Sequence, residues 1–388
     1  MMTYSKQEKA LIFLSTFEFM SYRKYQDIMS VFEDLYDIFS PNMQQLKELK
    51  NILNKNYEEL ADGIKNFNET TFFEILETRG VKCLTILSNQ YPNNLKRLAQ
   101  PPMVLYYIGN IDLLNTNIVA MVGTRNPSTY GKIVTQKFAK ALAKEGLTIV
   151  SGMASGIDKL SHEGALEVGG NTIAVLGGGF DHIFPTMNTN LFKEICEKGL
   201  VLSEYFLTVS PTKYTFPARN RIIAGLSDYI IITEAGRKSG SLYTMEFGTE
   251  IGVDTYCVPG NITNELSYAT NELIKKGICA CLTCPEDILC LFGIKASPVQ
   301  KNVKKQVQMS LEENSICNLL KDGERDFDYI QEKTGLSTQN LNISLTSLEI
   351  SGIIKKLAGN SYVLINDWSG KKTIDFCLLL KRYNKITY

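Results

Sequence analysis

Between Tyr214 and Leu226 the chain reads Tyr-Thr-Phe-Pro-Ala-Arg-Asn-Arg-Ile-Ile-Ala-Gly-Leu, which sets two aromatic rings close to two guanidinium groups. Widening the window to 205–226 adds Lys213 and no Asp or Glu. Aromatic faces stack nucleobases and cations hold phosphates, which is what a groove for an unpaired nucleic acid strand requires. The pattern places Phe216, Arg219, Asn220 and Arg221 in a loop that turns directly into a helix.

Four other turns carry anion-binding chemistry. The first, Val122–Ser128, contains Gly123, Arg125 and Ser128; the second, Ser151–Asp158, contains Ser151 and Gly152; the third, Leu176–Asp181, has a glycine triplet centred on Gly178. Each is expected where a strand end meets a helix start, and there unpaired N–H groups and the helix dipole favour anions. Phosphate binding is the reading for these three. In the fourth turn, Thr233–Ser241, Arg237 and Lys238 precede Ser239, Gly240 and Ser241. An anion site and a simple helix cap on a solvated loop weigh equally there. None of the turns spells Gly-x-Gly-x-x-Gly, so no dinucleotide cofactor is expected, and no other cofactor either.

Two further constellations could do chemistry. Asp158 and His162, four residues apart, share a helix face as an acid–base pair would, although a local hydrogen bond near a helix start is the commoner use of that spacing. His182 has no evident partner. Cys279, Cys281, Cys284 and Cys290 are close enough in sequence to hold zinc. The preferred reading is a buried strand over 277–282 with Cys279 and Cys281 on one face, then a helix opened by Pro285, with no metal bound.

The elements that must position these residues follow from hydrophobic patterning. From 117 onward short Val/Ile-rich runs alternate with helical patterns. Strands are expected at 118–122, 148–151, 172–176, 201–204, 229–233, 255–258 and 278–282, with helices between most of them, among them 129–144, 158–167, 190–198 and 242–251. Continuous apolar strands spaced by helices mean a mostly parallel sheet covered on both faces, a doubly wound Rossmann-like α/β domain over 118–295. Residues 1–85 read as an N-terminal helical (SAM-like) domain of structural role, 86–117 as a turn-rich connector and 296–309 as a basic linker. Three helices and a hairpin turned by Gly359-Asn360 make 310–366 a winged-helix pattern, followed by a tail at 367–388.

Composition narrows the function classes. The chain has 388 residues, with 41 Lys+Arg against 41 Asp+Glu, so a nucleic acid site must be a local patch rather than a global field. No apolar run reaches the ~20 residues of a membrane helix. Nine cysteines without an export signal are expected to be reduced thiols in a cytoplasmic protein.

The same segments resemble the DNA-processing protein A family (DprA, also called Smf). The resemblance runs over about 85–290 through Gly123-Thr124-Arg125, Ser151-Gly152, Gly177-Gly178-Gly179, Phe216-Pro217-x-Arg219-Asn220-Arg221 and Ser239-Gly240-Ser241. It implies a bacterial protein that binds single-stranded DNA without cutting it, protects incoming strands, brings the RecA recombinase onto them in natural transformation, and forms a homodimer through its Rossmann-like domain. Carried onto this sequence, the family's DNA contacts fall on Arg125, Lys213, Phe216 and Arg219. Asp254 stands near where relatives have a basic residue, and the N-terminal region lacks their glycine hairpin.

The rival reading is an enzyme that cleaves nucleoside monophosphates at the N-glycosidic bond, because Ser239-Gly240-Ser241 with Thr244 and Glu246 echoes such sites. A third reading, a duplex-sequence reader, is disfavoured because residues 337–351 contain no Lys or Arg.

Overall fold

The computed structural model describes residues 4–294 and 310–365, apart from 352 and 358. The expected linker, the tail and the Gly352 start of the hairpin lie outside the described residues. The chain divides into two compact units, 1–295 and 296–388.

The first unit opens with five helices, α1 (Lys6–Leu14), α2 (Tyr22–Met29), α3 (Met43–Leu53), α4 (Tyr57–Asn66) and α5 (Glu69–Thr78). It continues through β1 (Lys82–Thr85), α6 (Asn93–Lys96), β2 (Val104–Gly109), β3 (Ile118–Val122), α7 (Thr129–Lys144), β4 (Thr148–Ser151) and α8 (Ile157–Glu167). Then come β5 (Thr172–Leu176), α9 (Thr189–Lys198), β6 (Leu200–Ser203), α10 (Thr215–Leu226), β7 (Tyr229–Ile232) and α11 (Ser241–Glu250). The unit closes with β8 (Asp254–Cys257), α12 (Tyr268–Lys275), β9 (Ala280–Cys281) and α13 (Pro285–Leu291).

All nine strands form one sheet in the order β1-β2-β6-β5-β4-β3-β7-β8-β9. The pairs from β6 to β9 are parallel, as continuous Val/Ile runs require. The chain builds outward from β3 through β4, β5 and β6, then crosses back to lay β7 on the other side of β3. Strand order therefore reverses at β3/β7, and the crevice beyond the carboxyl ends of those two strands is where a doubly wound sheet takes its ligand.

The expected helical region and connector are corrected at one point each. β1 lies inside 1–85 and β2 inside 86–117, and both join the sheet antiparallel at its edge. Val104, Leu105, Tyr106 and Tyr107 are buried, so β2 is covered on both faces. The N-terminal helices share one apolar core with these strands: Leu11, Leu14, Ile28 and Leu35 pack with Cys83, Val104 and Tyr106. The Tyr106 hydroxyl also bonds Ser15 Oγ at 2.7 Å.

At the opposite edge β9 is only two residues long. Cys279 is buried with its Sγ 3.6 Å from Met245 Sδ, whereas Cys281 is exposed on the open edge, so the expected buried strand is not formed. Among the described residues no group of His, Cys, Asp and Glu is arranged to hold a metal ion.

The second unit contains α14 (Leu311–Leu319), β10 (Arg325–Asp326), α15 (Phe327–Thr334), α16 (Thr338–Ile350), β11 (Ile354–Lys356) and β12 (Ser361–Leu364). Its strands pair antiparallel in the order β10-β12-β11. Ile316, Ile330, Leu341, Leu345, Ile354 and Tyr362 form its core. β10 is too short to leave a period in the sequence.

Candidate functional site

The crevice predicted by the strand reversal is present. A cavity of about 750 Å³ opens beyond β3 and β7, between the turn after β3, the start of α10 and the turn before α11. Arg125, Lys213 and Phe216 all line it, joined by Arg237, Lys238 and the Ser239–Ser241 segment. The Phe216 side chain has two neighbours in the cleft. Arg125 Cζ lies 5.4 Å from its ring centroid, and the Phe184 ring packs at 5.5 Å. Phe184 remains 51% exposed and Tyr214, with Lys213 Nζ 5.0 Å from its ring, 74%. The site thus presents aromatic faces next to cations, the combination that accepts bases and phosphates together.

Five cations line the cavity against one carboxylate, Asp158. Asp158 is already committed to its surroundings, accepting the Gly152 N–H at 3.1 Å beside Arg219. Among the described residues Arg125, Lys213 and Lys238 have no ion-pair partner, while Arg237 lies 3.6 Å from Glu265. The cleft is therefore a local positive patch on a chain of zero net charge.

Several residues expected to bind DNA do something else. The Phe-Pro-x-Arg-Asn-Arg motif is not a loop: it occupies the first turns of α10, with Pro217 accommodated where no intrahelical N–H bond is needed. Arg219 is only 4% exposed, and it donates to the carbonyls of Gly152 and Val175 and, through Nε, to Asn220 Oδ1. Burial pushes the Asp158 carboxyl up and the Arg219 guanidinium down to about 10, each opposed by the other's charge. Arg219 is a strut beneath the floor of the cleft. Arg221, two residues on, points away into a second cavity, bonding the Gln100 carbonyl at 2.9 Å and pairing with Glu204 at 2.5 Å. Asn220 does reach the cleft, where its Nδ2 donates to the Gly240 carbonyl.

The glycine turns are also largely consumed by the fold. A Cβ on Gly152 would lie 2.4 Å from the Arg219 guanidinium, and one on Gly178 would lie 2.9 Å from Pro211. These glycines let the protein approach itself, not a ligand. Gly123 still borders the cleft, but Ile157 and the Glu234 carbonyl fill the space its side chain would take. Ser151 is buried and donates to the Met121 carbonyl at 2.6 Å. Ser128 caps α7, and its Oγ and N–H both bond Glu234, at 2.6 and 2.8 Å. Ser239, Gly240 and Ser241 do line the cleft.

The Asp158–His162 pair is not assembled. His162 is fully buried with Nδ1 2.6 Å from Thr172 Oγ1, whose own proton goes to the Ile149 carbonyl. The imidazole must therefore donate from Nδ1. Burial, aided by the Arg219 charge, lowers its pKa to about 3. The unfolded chain thus binds a proton below pH 6.5 that the folded protein does not take up until about pH 3. The stability this group contributes is complete above pH 6.5 and falls toward pH 3, approaching about 1.4 kcal/mol per pH unit. Urea unfolding of wild type and His162→Phe across pH 4–7 checks this: the variant should lose that part of the slope. His182 does have a partner, the Thr208 carbonyl at 3.0 Å.

One residue at the cleft escapes the sequence reading. Phe184 sits between β5 and α9 in no recognisable pattern, and only its contact with Phe216 places it at the cleft. Glu234, part of the fourth turn, is 1% exposed and organises the turn after β3 through Ser128.

A family model described as DNA recombination-mediator protein A matches residues 82–293. The chain is similar to Protein Smf of Synechocystis sp., with 38% identity over 250 residues, 63% of this chain and 63% of the relative. It thus spans less than two thirds of that relative's length. It is similar to DNA processing protein DprA of Streptococcus pneumoniae, 44% identical over 208 residues, 54% of this chain and 73% of the relative. Among solved structures, that of DNA processing protein A from Streptococcus pneumoniae covers 74% of this chain and 98% of its own, with 33% identity and a TM-score of 0.63. The structure of DNA processing protein A from Helicobacter pylori, a protein with a unique single-stranded DNA binding mode, covers 55% of this chain and 95% of its own, with 35% identity and a TM-score of 0.50.

Proposed function

The chain belongs to the DNA recombination-mediator protein A family, and we propose that it binds single-stranded DNA in the cleft at the β3/β7 reversal, without cutting it. The observation that carries this reading is the convergence of Arg125, Lys213, Phe216 and Phe184 on one cavity, although they come from three separate segments. The cations meet phosphates and the exposed ring faces meet bases, so the strand is held without regard to sequence. The single-stranded DNA binding studied for the Helicobacter pylori relative supports the same assignment.

In this reading the protein protects incoming strands and loads RecA onto them in transformation and recombination, as a cytoplasmic homodimer. Residues 310–366 serve as a winged-helix unit. The helix that would enter a groove, α16, contains no Lys or Arg, which favours protein binding over duplex readout.

Fluorescence anisotropy with single-stranded DNA, duplex DNA and single-stranded RNA at two salt concentrations tests the proposal. Tight, salt-dependent binding of single-stranded DNA over duplex is expected, with log K falling by about 0.7 per phosphate contact per tenfold rise in salt. Release of free base from AMP, with no DNA binding, would instead favour the nucleotide-cleaving enzyme.

A further inference from the structure

The two ends of the cleft differ. At the Arg125–Phe216 end the ligand-facing groups are side-chain cations and rings. At the other end is the N-terminus of α11, ten residues long, which begins at Ser241 after an N-cap, Gly240, that offers no side-chain cap. Its first N–H groups have no intrahelical acceptors, although that of Leu242 already bonds the Ser239 carbonyl at 3.2 Å, and the axial dipole there favours negative charge. Ser239 and Ser241, their hydroxyls 2.8 Å apart, line the same spot.

An independent observation comes from Thr244, in the first turn of α11. It lines the cleft, is 0% exposed, and its Oγ1 has no hydrogen-bond partner. A helical threonine normally bonds the carbonyl four residues back, as Thr249 does with Met245 in this same helix. For Thr244 that carbonyl belongs to Gly240, which accepts from Asn220 Nδ2 instead. The result is a buried hydroxyl that lines the cleft without an acceptor, the state expected of a group whose partner arrives with a ligand. Lys238, exposed at the rim and without an ion-pair partner among the described residues, supplies a cation.

We propose that the N-terminus of α11 holds a phosphomonoester, the terminal phosphate of a DNA strand whose following nucleotides lie on Phe216, Arg125 and Lys213. This rests on the single-stranded DNA reading of the cleft and deepens it. The donors gathered here are the Thr244 hydroxyl, one hydroxyl of the bonded Ser239–Ser241 pair, helix N–H groups and an ammonium. A phosphodiester brings a single negative charge shared by two free oxygens, whereas a monoester brings three free oxygens and a charge of about −1.5 to −2, which gains more from the helix dipole and the ammonium. A strand end and a free nucleoside monophosphate share this group, and only the strand end also engages the ring-bearing end of the cleft.

Calorimetric titration of the full-length protein with short thymidylate oligomers separates the cases. The oligomers carry a 5′-phosphate, a 3′-phosphate or neither, and thymidine monophosphate and inorganic phosphate are run alongside. One phosphorylated oligomer should bind about tenfold or more tightly than the unphosphorylated one, as charge-assisted bonds to a dianion imply. That ratio should fall toward one in Thr244→Val and in Lys238→Gln, the second being a surface change that spares the core. If all oligomers bind alike, the terminal-phosphate site is wrong while the DNA reading stands. If thymidine monophosphate binds as tightly as the phosphorylated oligomer, the pocket belongs to free nucleotides and the strand-end assignment is overturned. If no oligomer binds, the DNA reading fails and this inference with it.

Discussion

Replacing Arg125 and Lys213 together by alanine should abolish most single-stranded DNA binding while leaving the fold intact. Both side chains are exposed and make no ion pair among the described residues, so their loss leaves no buried group unpaired. Each charge-assisted contact to phosphate contributes on the order of 1.5–3 kcal/mol, so the double variant should bind about a hundredfold or more weakly. The dependence of log K on log salt should also flatten by about 1.4, twice the single-strand value per phosphate. Phe216→Ala should cost about 1–3 kcal/mol from lost stacking yet leave the salt slope unchanged. Anisotropy titrations at several salt concentrations read both quantities. A double variant that keeps the wild-type slope would remove these two cations from the phosphate path.

Arg219→Ala should behave quite differently. Arg219 resembles a DNA contact in the motif, but it is buried against the Gly152 and Val175 carbonyls with Asp158 beside it. Truncating it leaves two buried carbonyls without their donor and the buried Asp158 carboxylate without its compensating charge, a loss of about 3–5 kcal/mol of stability. Adding Asp158→Asn to that variant should recover part of the loss, because the stranded charge is gone. Urea unfolding of the two single variants and the double measures the coupling. Were Arg219→Ala to unfold like wild type while losing DNA affinity, the strut role would be wrong and Arg219 would be a direct contact.

These two arginines show where sequence reasoning reaches and where it stops. The parallel sheet was legible because β3, β4, β5 and β7 are short apolar runs separated by helical periodicity, and nothing else packs that pattern. The location of the site was legible too, since the turns after β3 and β7 must share one sheet edge. β2 was not legible: Pro101-Pro102 and Gly109-Asn110 give the stretch the texture of a connector, and of its antiparallel partners β1 is only four residues long and β6 lies far along the chain.

The glycine turns were misread for a related reason. Close backbone approach is encoded by glycine whether the approaching object is a ligand or the protein itself. At Gly152 and Gly178 it is Arg219 and Pro211, distant in sequence. The split between Arg219 and Arg221 follows from helix geometry, in which residues two apart point to different sides. It becomes visible only once the helix is known to begin at Thr215 rather than after the motif.

In the proposed complex an unpaired strand lies across Phe216 between Arg125 and Lys213. Photocrosslinking of a halogenated-uracil oligonucleotide to the full-length protein, followed by mass spectrometry of the linked peptides, tests it most directly. Crosslinks should concentrate on Phe216, Phe184 and Tyr214, and should disappear with unlabelled single-stranded competitor. Crosslinks confined to residues 310–365, or to the cavity around Arg221 and Tyr205, would contradict the account.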